Sequence, residues 1–300
     1  MNSAPLNNAW LKAQALRLGF AACGIAPAED VQPWCVRHFR KWLQLGYHAG
    51  MAYMEHHTDM RLQPSLLHPG VKSIISLAMN YMPCRQHRSI SLYAQGQDYH
   101  DVIRQRMLQL MQEAGVQGRC FVDTAPVLER YWAWRCGIGE FCPNGLIAVP
   151  GYGPTVFLGE IFAEQEADAY DIPFRPAPQE PCGWQRICPA LTPQGLDAHQ
   201  CQSYLTIEHR GELPPNVRLR GTFYGCDRCL RACPQFAESH PTAEAAFQPS
   251  EQLLAMKEAD WRSLTPEQFK TLFRHSAVKR AKYEGVMRNI LSFHNITPTP

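Results

Sequence analysis

Six of the twelve cysteines in this 300-residue chain, Cys182, Cys188, Cys201, Cys226, Cys229 and Cys233, fall within 52 positions. Cys226-Asp-Arg-Cys229-Leu-Arg-Ala-Cys233-Pro234 spells C-x2-C-x3-C-P, the second half of the bacterial ferredoxin ligand pattern. Short spacings put thiolates on one turn of backbone, and the proline turns the chain away. Cys188-Pro189 is a second C-P. In such modules the C-P cysteine of one run completes the cluster that the other run mostly binds, so Cys188 is expected to join Cys226 and Cys229, with Cys201 as fourth ligand. Four soft thiolates suit an iron–sulfur cluster, and a Zn(Cys)4 site satisfies the same donors. The spacing alone does not separate the two. A full first run would read C-x2-C-x2-C-x3-C-P, whereas Cys182-Gly-Trp-Gln-Arg-Ile-Cys188-Pro189 is shorter and lacks two cysteines. Cys182 and Cys233 cannot hold a cubane between them, so a single cluster is expected.

The elements that must position these residues are legible in outline. With 45% hydrophobic and 19% charged residues, the chain is a folded globular protein rather than a disordered, collagenous or coiled-coil one. A net charge of +2 is too balanced to announce nucleic acid by bulk electrostatics. No apolar run of ~18 residues is present to span a bilayer, and the N-terminus lacks a basic leader before an apolar core, which predicts a cytoplasmic protein without a membrane partner. In a reducing compartment so many cysteines point to metal or redox chemistry before disulfides. Cys23, Cys35, Cys84, Cys120, Cys136 and Cys142 each stand beside apolar residues, and most of them read as small buried hydrophobes.

Helix and strand signals alternate through the first half. Helices are expected around Trp10 to Leu18, from Pro33 to Gly46, from Asp98 to Ala114 and from Leu128 to Trp134. Strands are expected at 20–25, 72–80, through Phe121 and Val122, and at 146–149 and 155–162, the last two joined by the turn Pro150-Gly-Tyr-Gly153. This is an α+β fold with a mixed central sheet flanked by helices. Thr265-Pro-Glu-Gln268 reads as a capping box that starts a C-terminal helix. The helical stretch 274–288 then carries Arg274, His275, Lys279, Arg280, Lys282 and Arg288 against one acid, Glu284. It reads either as a solvated face or as a contact for a phosphate backbone. Gly137-Ile-Gly139 is no dinucleotide fingerprint, since neither the leading strand nor the following helix is present.

Three stretches carry a family resemblance: Phe121-Val-Asp123-Thr-Ala-Pro-Val-Leu-Glu129-Arg130, Cys201-Gln-Ser-Tyr-Leu-Thr-Ile-Glu208 and Tyr224-Gly-Cys226-Asp-Arg-Cys229. With Gly46-Tyr-His48, Met79-Asn-Tyr-Met-Pro83, Asp98-Tyr-His100, Phe157-Leu-Gly-Glu160 and Ala277-Val-Lys-Arg280, the chain from about residue 10 to 292 resembles the epoxyqueuosine reductase family. The resemblance implies a cobalamin-dependent, iron–sulfur oxidoreductase that converts epoxyqueuosine to queuosine in tRNA. It implies residues 1–175 as a domain holding base-off cobalamin, 176–240 as a ferredoxin-like module carrying one [4Fe-4S] cluster, and 241–300 as C-terminal helices packed on the core. The anticodon stem-loop of tRNA and an external electron donor would be the partners, with the chain a monomer.

By the same carry-over Asp123 is the catalytic proton donor, and the backbone at Ile147 and Leu158, Ser203 beside Cys201, and His56 and Asp123 approach the corrin. Phe121, Val122 and Pro126 would desolvate Asp123 enough to keep it protonated near neutral pH, as a general acid needs. The plainer alternative is that Asp123 caps the next helix. Tyr99 and His100, at a helix start, are expected to be capped or solvated. The chain departs from the family in the shortened first cluster run, in His56 where an arginine is usual, and in Cys142-Pro143 where Gly-Lys is usual. It is therefore read as a divergent member. Two other functions stay open: a cobalamin and iron–sulfur reductase of another substrate, as in reductive dehalogenases, and a metal-containing tRNA or corrinoid binder without turnover.

Overall fold

The structure, a computed structural model, describes residues 4–173 and 186–294. The expected boundary at 175 and Cys182 lie outside the described residues. Among the described residues eight strands form: β1 (Ala22–Pro27), β2 (Ser73–Asn80), β3 (Gly118–Phe121), β4 (Glu140–Phe141), β5 (Ile147–Ala148), β6 (Val156–Ala163), β7 (Leu191–Thr192) and β8 (Gly195–Leu196). The class is α+β, with a central sheet in the order β1-β2-β6-β3.

That sheet is antiparallel at every pairing, which corrects the expectation of a mixed one. Ala22 stands opposite Ala78 and Pro27 opposite Ser73, and Ser73 in turn opposite Ala163. A strand covered on both faces is an apolar run whichever way its neighbour points, and connections as long as these permit either sense. All eight residues of β2 are buried for this reason.

One face packs Ile25, Ile75, Leu77 and Ile161 against Leu11 and Ala15 of the helix Asn8–Arg17 and Ile103, Met107 and Leu110 of the helix Tyr99–Ala114. The other packs Ile74, Ala78, Phe121 and Phe162 against Phe39 of the helix Pro33–Gln44 and Trp132 of the helix Glu129–Arg135. Each fully buried large side chain stabilises the fold by ~1.5–3 kcal/mol relative to its exposed state. The helix Tyr99–Ala114 is bounded by its own sequence: Asp98 caps it by accepting from the His100 N–H, and Gly115 ends it at φ +62°.

The expected neighbours 146–149 and 155–162 do not pair as a hairpin. Ile147 and Ala148 pair with Phe141 and Glu140 in a small separate sheet, while β6 enters the central sheet between β2 and β3. Gly139 permits that small sheet, since a Cβ there would meet Ile147 Cγ2 at 2.5 Å and Ala148 O at 2.7 Å. Its glycines thus serve close packing.

A third core joins Ile90 and Ala94 to Phe223 and Tyr224 and to Trp261, Phe273, Val278 and Ile290, so the first half, the cysteine module and the C-terminal helices share one interior. The Thr265 capping box forms, with Gln268 N donating to Thr265 Oγ1 at 3.2 Å and Thr265 N to Gln268 Oε1 at 2.8 Å. The basic stretch is not one helix: a 3-10 turn, Ala277–Ala281, precedes the helix Lys282–His294, and Lys282 breaks the run at φ +59°. Among the first-half cysteines Cys23, Cys136 and Cys142 are buried, Cys35 and Cys120 are half-buried, and Cys84 is exposed. No described helix is long and apolar enough to cross a membrane.

Candidate active site and cysteine module

Asp123 sits just past the end of β3 at φ +55°, a left-handed conformation that aspartate tolerates better than most residues. The cap of the helix Glu129–Arg135 is Leu128, so Asp123 does not cap that helix. Its Oδ2 instead accepts from Tyr99 OH at 2.7 Å and faces His100 Nε2 at 3.3 Å. The Asp123 N–H donates to Glu129 Oε1 at 2.5 Å. Behind the imidazole, His100 Nδ1 lies 2.6 Å from Asp98 Oδ1, and Lys279 Nζ lies 2.8 Å from Asp98 Oδ2. Tyr99 stacks between His100 (4.1 Å between ring centres) and Phe157 (4.2 Å), which fixes the angle of both polar rings. The expectation for Tyr99 and His100 is corrected: the first turn of one helix aims both at Asp123. The i, i+1 placement after a capping aspartate was the available signal.

The protonation pattern also departs from expectation. Asp123 is held below the ordinary carboxylate range by its hydrogen bond with His100, which together with Tyr99 outweighs burial. Its side chain is 59% exposed, so Phe121, Val122 and Pro126 do not box it in. Burial alone would lower the His100 pKa, yet its bonds to Asp123 and Asp98 prevail and lift it to about 9. Asp98 is held low chiefly by His100, with Lys279 helping against burial. Glu129 is pushed up to about 8, first by burial and then by the charge of Asp123. Further in, burial pushes Glu160 well up, and its Oε1 accepts from Ser76 Oγ at 3.1 Å while Oε2 has no partner. Near neutral pH the transferable protons therefore rest on His100 and Glu129, on either side of an ionised Asp123.

Cys188, Cys201, Cys226 and Cys229 are neighbours. Burial raises the Cys229 thiol to about 12, and the charges of Cys188, Cys201 and Cys226 push it the same way. Burial likewise raises Cys201 and Cys226, while backbone N–H groups of Tyr204 and Ser203 and of Arg228 favour their thiolates. Among the described residues no three His, Cys, Asp or Glu side chains close to metal-ligating distances. The donor set nonetheless fits a thiolate-bound metal group: mutual repulsion among four thiolates and their desolvation are what a bound cation relieves.

The residues expected near a corrin stand on four elements. Ile147 on β5 is buried. Leu158 on β6 is half-buried and, like half-buried Leu128, Tyr152 and Val156, packs against the core on that side of the sheet. Ser203 lies in the helix Gln202–Ile207. His56 is exposed in the loop after Ala52–Met54. Just before that turn, Gly50 N–H donates to Tyr204 OH of the cysteine module at 2.8 Å, and within the turn Tyr53 lies under the Arg280 guanidinium at 6.0 Å.

The basic stretch is largely engaged within the fold. Lys279 pairs with Asp98, and Arg280 makes a bidentate pair with Glu208 at 2.9 Å. Arg288 donates to the carbonyls of Leu205, His209 and Gly211. Lys282 is exposed. Lys279, Arg280 and Arg288 are thus fastening points, a role that spacing along a helix does not reveal.

The family profile described as Epoxyqueuosine reductase QueG, DUF1730, matches residues 61–124, a span that includes Asp123. An epoxyqueuosine reductase of Cellulophaga algicola is 37% identical over 310 residues, covering 97% of this chain and 99% of the relative. Those of Pseudomonas aeruginosa and Escherichia coli are 36% and 32% identical, covering 91% and 93% of this chain and 81% and 78% of their own. A crystal structure of epoxyqueuosine reductase with an epoxyqueuosine-modified tRNA-Tyr stem loop superposes with a TM-score of 0.83 at 26% identity, over 94% of this chain and 79% of that one. With identity above three residues in ten along more than nine-tenths of its length, this protein belongs to the epoxyqueuosine reductase family of oxidoreductases.

Proposed function

We propose that this chain is a cytoplasmic enzyme that reduces epoxyqueuosine in the anticodon stem-loop of tRNA to queuosine. In this reading Leu158, with the main chain at Ile147 and with Ser203 and His56 at the rim, holds base-off cobalamin beside Asp123. Cys188, Cys201, Cys226 and Cys229 hold one [4Fe-4S] cluster, fed by an external donor. When bound, these groups supply low-potential electrons to the epoxide. Loss of the epoxide oxygen as water consumes two electrons and two protons.

The observation that carries the reading is the Asp98–His100–Asp123–Glu129 network. It holds two protons near neutral pH beside Asp123, one on His100 against the solvent-accessible carboxylate and one on Glu129 against the Asp123 backbone N–H, with Tyr99 orienting the carboxylate. The test is anaerobic purification with iron, sulfide and cobalt analysis, followed by mass spectrometry of an epoxyqueuosine stem-loop incubated with reductant. Bound corrinoid, one four-iron cluster and loss of one oxygen from the nucleoside are expected. Bound zinc with no corrinoid would overturn the reading.

A further inference from the structure

Cys142 and Cys233 are 91 positions apart in the chain and side by side in the fold, with Sγ 2.8 Å from Sγ. Both are free thiols, 3% and 2% exposed, and with Ala148 they form a small interior bordered by Leu146 and Phe236. Gln235 Oε1 accepts from Cys233 Sγ at 3.0 Å and lies 3.9 Å from Cys142 Sγ. The separation is inside a sulfur–sulfur van der Waals contact, and a disulfide at ~2.05 Å needs only a small further approach. The cubane reading of the sequence leaves Cys233 without a function, and burial alone does not require two thiols to meet.

We propose that Cys142 and Cys233 form a reversible thiol/disulfide couple that clasps the loop 140–146 to the cysteine module. The oxidant is a small peroxide, which can reach a buried pair. The Cys233 thiolate attacks hydrogen peroxide, forming an S–O bond and breaking O–O; hydroxide leaves and takes up the thiol proton as water. Cys142 sulfur then displaces hydroxide from Cys233 sulfur, forming S–S, and its proton leaves with that hydroxide as a second water. Two thiols are oxidised, one peroxide is reduced, and an external dithiol reverses the change by exchange. Backbone N–H groups of Gln235 and Phe236 at Cys233 join the contact with Cys142 in favouring its thiolate, the form that attacks peroxide.

The clasp reaches the site on two sides. Asn144 of the same loop donates Nδ2 to Cys229 O at 2.8 Å, and Gly145 O accepts from Arg130 Nη1 at 3.2 Å. Arg130 adjoins Glu129, the acceptor of the Asp123 N–H. Closing the bond ties this loop covalently to Cys233, four positions beyond Cys229.

The test treats the anaerobic holoprotein with one equivalent of hydrogen peroxide, alkylates it under denaturing conditions and maps its peptides. Expected is a Cys142–Cys233 cross-linked peptide that dithiothreitol returns to two free thiols. In Cys142→Ser the cross-link disappears and dimedone labels Cys233 instead. Both cysteines recovered free at a peroxide dose that oxidises exposed Cys84 would overturn the proposal. So would a cross-link from Cys233 to another cysteine, or loss of iron in unoxidised Cys142→Ser or Cys233→Ser, which would make the pair metal ligands.

Discussion

His100 Nε2 faces Asp123 Oδ2 across 3.3 Å, and this contact moves the proton from the carboxyl, where a desolvated aspartate would keep it, to the imidazole. Asp123→Asn keeps the size of the side chain but removes the charge that sustains the imidazolium. Reduction of epoxyqueuosine is expected to fall ~10²–10⁴-fold. An NMR titration should show the His100 pKa dropping from about 9 towards its ordinary 6.5, although Asp98 keeps it from falling all the way. Unchanged turnover would remove Asp123 from the chemistry.

The pH–rate profile should lose activity on its alkaline side in two steps, as Glu129 deprotonates at about 8 and His100 at about 9. Glu129→Gln keeps an oxygen to accept the Asp123 N–H but cannot titrate. The first step should vanish and the descent near pH 9 remain. A profile identical to the parent's would show that Glu129 supplies no proton.

Stability carries the same two groups. His100 binds its proton more tightly folded than unfolded, so its contribution is complete below pH 6.5 and is lost as pH rises through about 9. Glu129, raised from 4.5 to about 8, likewise makes the fold lose stability as pH rises between those values. Urea midpoints of the metal-free chain should therefore decline from pH 6.5 to 9. Glu129→Gln should flatten the part of that decline below pH 8.

In the cysteine module, Cys188→Ser or Cys226→Ser should abolish the visible absorbance of the cluster, while Cys182→Ser should leave a full four-iron complement. Twice that iron in the parent would show that the shortened first run still binds metal.

Arg288 and Lys282 separate fastening from recognition. Arg288→Met strips three carbonyls of their donor and should destabilise the chain by about 1–3 kcal/mol in urea unfolding. Lys282→Ala should leave stability nearly unchanged. It should flatten the slope of log affinity for a tRNA stem-loop against log salt by about 0.7–0.9. Equal slopes for Lys282→Ala and parent would place the phosphate contacts elsewhere.

Local physics made much of this protein readable before its fold was known. Asp98 and Gly115 bound the helix Tyr99–Ala114, Thr265 and Gln268 start the helix Pro266–Leu272, and the apolar runs at β1, β2 and β6 become strands, because caps and burial periodicity act between residues a few positions apart. The cysteine spacings stood out for the same reason, whereas Asp123 was singled out by the family resemblance. Strand direction and partner did not, since an apolar run buried on both faces looks alike in either sense; hence the antiparallel sheet and the β4–β5 pairing were found only on folding. The relations that set the chemistry are longer still: β3 and the helix Tyr99–Ala114 pack side by side on β6 to bring His100 to Asp123, Lys279 arrives from the C-terminal turn, and Cys142 meets Cys233 across 91 positions. Through-space contacts of this kind follow from sheet order and core packing, which no short stretch of residues encodes.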